Sequence, residues 1–321
     1  MKPLLLLASL TAALPAQPPR LIAVSNEESR DVSLHDGRSG KLLASIPVGQ
    51  RPRGIHASAD GRTLYVALSD DRPHSSSAGD AIAAIDVATR RVVRRFPAGS
   101  DPEQFALTHD GARIYASNED AGTAASIEIR TGRVRASLVV GIEPEGVAIS
   151  PDGRWIYVTA ETSNSVTVID TRHDTVVTSF LVDVRPRAAA FSPDGTRAWV
   201  TNEISGTLSV IDATRHELLE SLQLGDGEGK PVGVAVAPDG RRVYVACGAS
   251  GTIAVVDARS LKQVGSVRVG RRPWNIALSR DGRFLYSANG GSNDVSVVDL
   301  AAGRVIATFP AGRRPWGVAL M

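Results

Sequence analysis

Apolar residues in this chain come in blocks of five or six, separated by turn formers, and the blocks recur. The stretch "EPEGVAISPDGRWIYVTAETSNSVTVIDTRHDTVVTSFLVD", beginning at Glu143, shows the plan. A short apolar run over 146–150 leads to Asp152-Gly153, a strong tight-turn signal. "WIYVTA", "SVTVID" and "TVVTSFLV" follow, the second of them ending in Asp170. Blocks of this length, bounded by Gly, Pro, Asp and Ser, predict four β-strands.

The unit repeats. Pro52, Pro102, Pro144, Pro186, Pro231, Pro273 and Pro315 open the same phrase at spacings of 50, 42, 42, 45, 42 and 42 residues, the length of a four-stranded propeller blade. The Asp-Gly turn between the first and second blocks occurs six times, at Asp60, Asp110, Asp152, Asp194, Asp239 and Asp281. Seven openings with six turns mean that one unit is split. Residues 20–49 supply second, third and fourth strands with no first strand before them, and the closing "WGVALM" supplies a first strand alone. The predicted fold is all-β: a seven-bladed β-propeller of four-stranded blades, the last one closed by N- and C-terminal strands, which removes exposed sheet edges.

Composition narrows the class. The chain has 321 residues, 43% hydrophobic and only 5% aromatic, with 30 Gly and 18 Pro. A net charge of +2 is too balanced for a nucleic-acid binder or an anionic-membrane binder. "MKPLLLLASLTAALPAQPP" reads as a signal peptide over 1–16, cut after Ala16, with 17–321 as one propeller domain; its apolar run is too short for membrane insertion. A periplasmic or secreted location is expected. Cys247 is the only cysteine, so neither an intramolecular disulfide nor a thiolate metal cluster is expected.

Residues repeated around the ring belong to packing. Tyr65, Tyr115, Tyr157, Tyr244, Tyr286 and Trp199 share one position on the second strand. Asp36, Asp86, Glu128, Asp170, Asp212, Asp257 and Asp299 end the third strand as turn caps. Function should lie where repeats differ. Blade two carries an eight-residue insertion around "DDRPHSSSAGD" (70–80), a polar loop. No nucleophile elbow, zincin motif or metal-spaced Cys/His pair occurs, so no catalytic and no metal residues are assigned. The histidines His35, His74, His109, His173 and His216 are scattered, whereas His56 stands in a row of Ala106, Ala148, Ala190, Ala235, Ala277 and Ala319. It must project into the tunnel or a neighbouring groove, as a hydrogen-bonded filler or as a ligand contact.

"SPDGRWIYVTAETSNSVTVID" resembles the YVTN-type β-propellers over residues 20–321. "SNEDAGTAASIEI", "GGSNDVSVVDL" and "GRRPWGVAL" are most similar to the PQQ-dependent catabolism-associated β-propeller proteins. That resemblance implies a periplasmic protein linked to quinoprotein alcohol oxidation, with a PQQ-dependent dehydrogenase or a c-type cytochrome as partner. It supplies no catalytic residues.

The loops entering the first strands should face the central mouth. The residues after each proline are Arg53, Glu103, Glu145, Arg187, Val232, Trp274 and Trp316; those before it are Arg51, Asp101, Glu143, Arg185, Lys230, Arg272 and Arg314. Glu27, Asp70, Glu119, Glu161 and Glu203 follow the second strands, with Gly248 and Gly290 completing that row. Arg53 and Arg187 can pair with these acids or, with His56, join the ligand-binding residues of the mouth. Trp274 and Trp316, with Arg271, Arg272, Arg313 and Arg314, predict a patch for a small anionic planar ligand or an acidic partner face, since Trp and Arg dominate binding hot spots. The carboxylates of PQQ fit that description. The favoured expectation is therefore a non-enzymatic binding or scaffold propeller. The alternatives are a propeller-lactonase-like hydrolase with a tunnel site and a structural envelope repeat protein.

Overall fold

The computed structural model describes residues 18–70 and 79–321. The expected signal peptide, His74 and most of the blade-two insertion lie outside the described residues. Seven four-stranded antiparallel sheets form the ring. Blade one, the split one, orders its strands as Pro315–Leu320, Leu21–Asn26, Asp31–Asp36 and Leu42–Pro47. Blades two to seven follow in chain order, each with its first strand innermost, from Ile55–Ala57 in blade two to Pro273–Leu278 in blade seven.

Burial explains the sequence pattern. In blade five, Arg197–Asn202 and Thr207–Asp212 are buried along almost their whole length, because neighbouring blades cover both faces of the sheet. Such strands read as continuous apolar runs instead of alternating ones. The outermost strand, Glu217–Gln223, is exposed at all but one position and carries charge, which protects the edge. The aromatic row is a packing device, as its repetition implied. Ala106, Ala148, Ala190, Ala235 and Ala277 lie directly opposite Tyr115, Tyr157, Trp199, Tyr244 and Tyr286, small against large. In blade two, His56 takes the place of the alanine opposite Tyr65.

Five of the six Asp-Gly turns, all but the one at Asp239, share one hydrogen-bond scheme. Ser150 Oγ donates to Asp152 Oδ1 at 2.5 Å, the Arg154 N–H donates to the same oxygen, and Gly153 takes a φ of 72° that suits glycine. The inner strands also crowd one another. A side chain at Gly146 would place its Cβ 2.3 Å from the Arg187 carbonyl oxygen of the next blade.

Closure is made by residues from the two ends of the sequence. Leu21–Asn26 pairs with Pro315–Leu320 in the register Ile22↔Leu320 to Ser25↔Gly317, with a shift at Asn26. The Arg20 N–H donates to the Met321 carbonyl at 2.6 Å, and the Gly312 N–H donates to Asn26 Oδ1 at 3.0 Å. Deleting residues 313–321 strips this strand from blade one and uncovers Ile22 and Val24, both fully buried. The truncated protein should melt roughly 10 °C or more lower, or lose cooperative unfolding, in a calorimetric scan.

Candidate functional site

The mouth is built on an unusual backbone conformation. The residue before each blade-opening proline is left-handed in all seven blades: Arg51, Asp101, Glu143, Arg185, Lys230, Arg272 and Arg314 have φ between 40° and 63°. None is glycine, and non-glycine residues rarely adopt this region. In six blades the bend turns the carbonyl toward the exit of the second strand. There the N–H groups of Glu27, Glu119, Glu161, Glu203, Gly248 and Gly290 donate to Arg314, Asp101, Glu143, Arg185, Lys230 and Arg272 in turn. Two rows of mouth residues are thereby clamped side by side.

The residues after the prolines close into a ring at the axis: Trp316, Arg53, Glu103, Glu145, Arg187, Val232 and Trp274, in blade order from one to seven. Glu103 is fully buried, and Glu145, Val232, Trp316 and Trp274 are between 4% and 9% exposed. Buried charges require partners. Arg53 is ion-paired with Glu103 and lies 3.2 Å from Glu27. Arg187 is ion-paired with Glu161 and lies 3.3 Å from Glu145 and 3.6 Å from Glu203. Arg51 reaches Asp101 at 3.2 Å, Arg185 reaches Glu161 at 2.7 Å, and Arg314 reaches Glu27 at 2.9 Å. The carboxylates in these contacts outnumber the guanidiniums.

Glu119 carries the consequence. Its carboxylate is the least engaged of the group, with Arg53 Nη1 at 4.0 Å. Burial pushes its pKa up, the charges of Glu145 and Asp101 push it further, and Arg53 and Arg51 only partly offset them, leaving it at about 7. Its side chain remains 26% exposed, so the acid is open to solvent at the mouth. Asp101, Glu103 and Glu119 bring carboxylate oxygens within 4.8 Å of one another. Arg51 on Asp101 and Arg53 on Glu103 offset two of the trio's three negative charges, which leaves the third on Glu119 without a close counterion.

The other sequence-predicted site residues fall into distinct places. Trp274 and Trp316 meet, with ring centroids 6.3 Å apart and planes 20° from parallel. Both are buried among Val232, Ile276 and Leu285. Arg272 and Arg187 lie over the Trp274 ring at 4.7 and 5.3 Å, so Arg187 joins the acidic half of the mouth to the aromatic half. Arg271 and Arg313 are exposed on the loops. At Gly290 the missing acid has a steric cause: a Cβ there would lie 2.8 Å from Trp274 Cδ1. The indole occupies the space that glutamates take in other blades. His56 sits three residues beyond Arg53, outside the carboxylate cluster. It lines a channel cavity of about 490 Å³ with Asn275 and Met321, its ring edge-on to Phe105 at 4.9 Å. Its Nε2 is buried without a partner. Burial lowers its pKa, and hydrogen bonds to Gln104 and Phe105 do not restore it.

Comparison with known proteins gives a consistent fold. Residues 183–305 match the family described as lactonase, 7-bladed beta-propeller, and residues 22–181 match the choice-of-anchor I domain. No curated protein matches the chain. Among solved structures, hydrazine synthase of Kuenenia stuttgartiensis is similar at 21% identity, with a TM-score of 0.77 over 91% of this chain and 99% of that one. A candidate 6-phosphogluconolactonase of Bacteroides uniformis is 17% identical, with a TM-score of 0.79 over 95% of this chain and all of that one. A second, from Bacteroides fragilis, is 17% identical, with a TM-score of 0.78 over 97% and all of the respective chains. The chain is a seven-bladed β-propeller. These findings correct the expectation of a non-enzymatic scaffold tied to quinoprotein oxidation: the lactonase match favours the hydrolase alternative, and the solved structures share its fold. At the mouth, the two tryptophans expected to form a patch are largely packed into its wall.

Two measurements follow. Trp274→Ala and Trp316→Ala should each destabilise the protein by about 3–5 kcal/mol in urea unfolding, the usual cost of removing a buried tryptophan. NMR titration of His56 should give a midpoint below 6.5, because the folded state disfavours the imidazolium; charging it should therefore remove stability as pH falls through that range.

Proposed function

We propose that this chain is a hydrolase that opens a cyclic ester at the propeller mouth. The lactonase match supports the reaction class, and the observation that carries it is Glu119, a solvent-reaching carboxyl with a pKa of about 7 beside the fixed guanidinium of Arg53. A general base works best when its pKa lies near the operating pH. Arg53 is locked between Glu27 and Glu103, so its remaining N–H groups are oriented before substrate arrives.

The Glu119 carboxylate takes a proton from water as the water oxygen bonds to the acyl carbon. The carbonyl π electrons move onto oxygen, where Arg53 N–H groups stabilise the charge. Collapse re-forms the C=O and breaks the ring C–O bond. The departing alkoxide takes the proton from Glu119, giving an open-chain hydroxy acid that loses its own proton to solvent. Nothing is oxidised or reduced.

The test is a pH-stat assay of the full-length protein with δ-gluconolactone and δ-valerolactone, corrected for spontaneous opening. The rate should rise with pH through about 7, since the base acts deprotonated. Glu119→Gln should lower kcat by about 10²–10⁴-fold and abolish that limb. Hydrolysis no faster than the spontaneous reaction, or an unchanged Glu119→Gln profile, overturns the reading.

A further inference from the structure

The face opposite the mouth carries a cleft of about 900 Å³ between blades five and six. Its walls come from the Asp-Gly turns of the two blades and the turn after Asp257, and Trp199 lies in its wall. The neighbouring grooves show what is different here. In blade three, the Tyr115 hydroxyl is bonded to Asp174 of the next blade. In blade four, the Tyr157 hydroxyl is 2.7 Å from His216 Nδ1 of the next blade. Asp174, His216 and Leu261 hold the same turn position, with φ of 53°, 57° and 55°. In blade five the aromatic is Trp199 and its counterpart across the groove is Leu261, which has no acceptor. Trp199 is 1% exposed, and its Nε1 is buried with no hydrogen-bond partner. Native structures seldom leave such a donor unanswered unless a water, an ion or a ligand completes it.

The charges around the cleft indicate what completes it. Arg197 Nη1 donates to the Ala258 carbonyl at 2.8 Å, and Arg242 is ion-paired with Asp257. Arg241 and Arg259 are exposed and have no carboxylate partner among the described residues. The acidic side chains here are committed to backbone: Asp194 accepts from the Thr196 N–H, Asp239 from the Arg241 N–H, and Asp257 from the Arg259 and Ser260 N–H groups. Donors therefore outnumber acceptors. The groove between blades seven and one, of about 750 Å³, is open on the same face with Arg38 and Arg280 on it, yet no orphaned donor lines it.

We propose that the cleft between blades five and six binds a small molecule through a terminal oxyanion, a carboxylate or a phosphate, which accepts from Trp199 Nε1 and is held by Arg241 and Arg259. The site is separate from the mouth, and a ligand there bridges two blades. The full-length protein, labelled with ¹⁵N, is titrated with inorganic phosphate in one arm and acetate in the other, at constant ionic strength set with chloride. The Trp199 indole resonance, identified by its loss in Trp199→Phe, should shift saturably with at least one anion. The double variant Arg241→Glu/Arg259→Glu changes only exposed side chains; it should keep the wild-type melting curve and weaken that binding at least tenfold. A preference for phosphate or for acetate identifies the oxyanion. An unmoved Trp199 resonance in both arms, or equal binding by the double variant, overturns the proposal; water then fills the cleft. No activity is read, so the outcome is independent of the hydrolase reading.

Discussion

The middle strands of every blade are buried from both sides, and this makes the ring obligatory. A strand such as Arg197–Asn202 has no face left for solvent, so a blade on its own would expose most of what it now buries. Repeat architectures gain their stability from neighbour interfaces in this way. Here the last interface is supplied by strands more than 280 residues apart in sequence, joined through Asn26 and Gly312. The alanine-opposite-aromatic register then fixes how closely successive blades approach.

The mouth depends on the same repetition, turned to another purpose. Seven left-handed residues stand before the prolines, six of them point their carbonyls at second-strand exits, and the side chains that follow converge on the axis. Because Glu103, Glu145 and Glu161 are buried, the arginines among them are structural counterions. An excess of carboxylates over guanidiniums in so small a volume leaves one of them short of compensation. That position falls to Glu119, which keeps its route to solvent.

Much of the architecture was legible because the signals that encode it are local: Pro at the blade entrance, Asp-Gly at the hairpin, and a fixed spacing between them. The split blade followed from the one unit lacking an Asp-Gly turn between its first and second strands. The state of Glu119 was not legible, since it depends on Asp101 and Glu145, from a loop and a neighbouring blade, brought close only by ring geometry. Nor was the burial of Trp274, because its cover is a glycine, Gly290, whose role is to be absent. The phrases that suggested a quinoprotein association have a structural explanation. In "GGSNDVSVVDL" and the residue before it, Asn289 donates to Asp294 at 2.7 Å and to Ser296 at 2.9 Å, bracing the loop between two strands. In "SNEDAGTAASIEI", Asn118 donates to Thr123 at 3.2 Å in the same role. Such motifs record how a blade is folded, not what the mouth binds.

The pairing of Leu21–Asn26 with Pro315–Leu320 also has a mechanical side. The two strands are antiparallel, and Arg20 and Met321 lie side by side at one end of them. Tension applied between these two residues loads the ladder one hydrogen bond at a time, as in a zipper, whereas shear would load all of them together. Forced unfolding is governed by the barrier along the pulling direction and not by equilibrium stability. A ring closed through paired terminal strands therefore has a soft axis, and it runs through the seam that closes it.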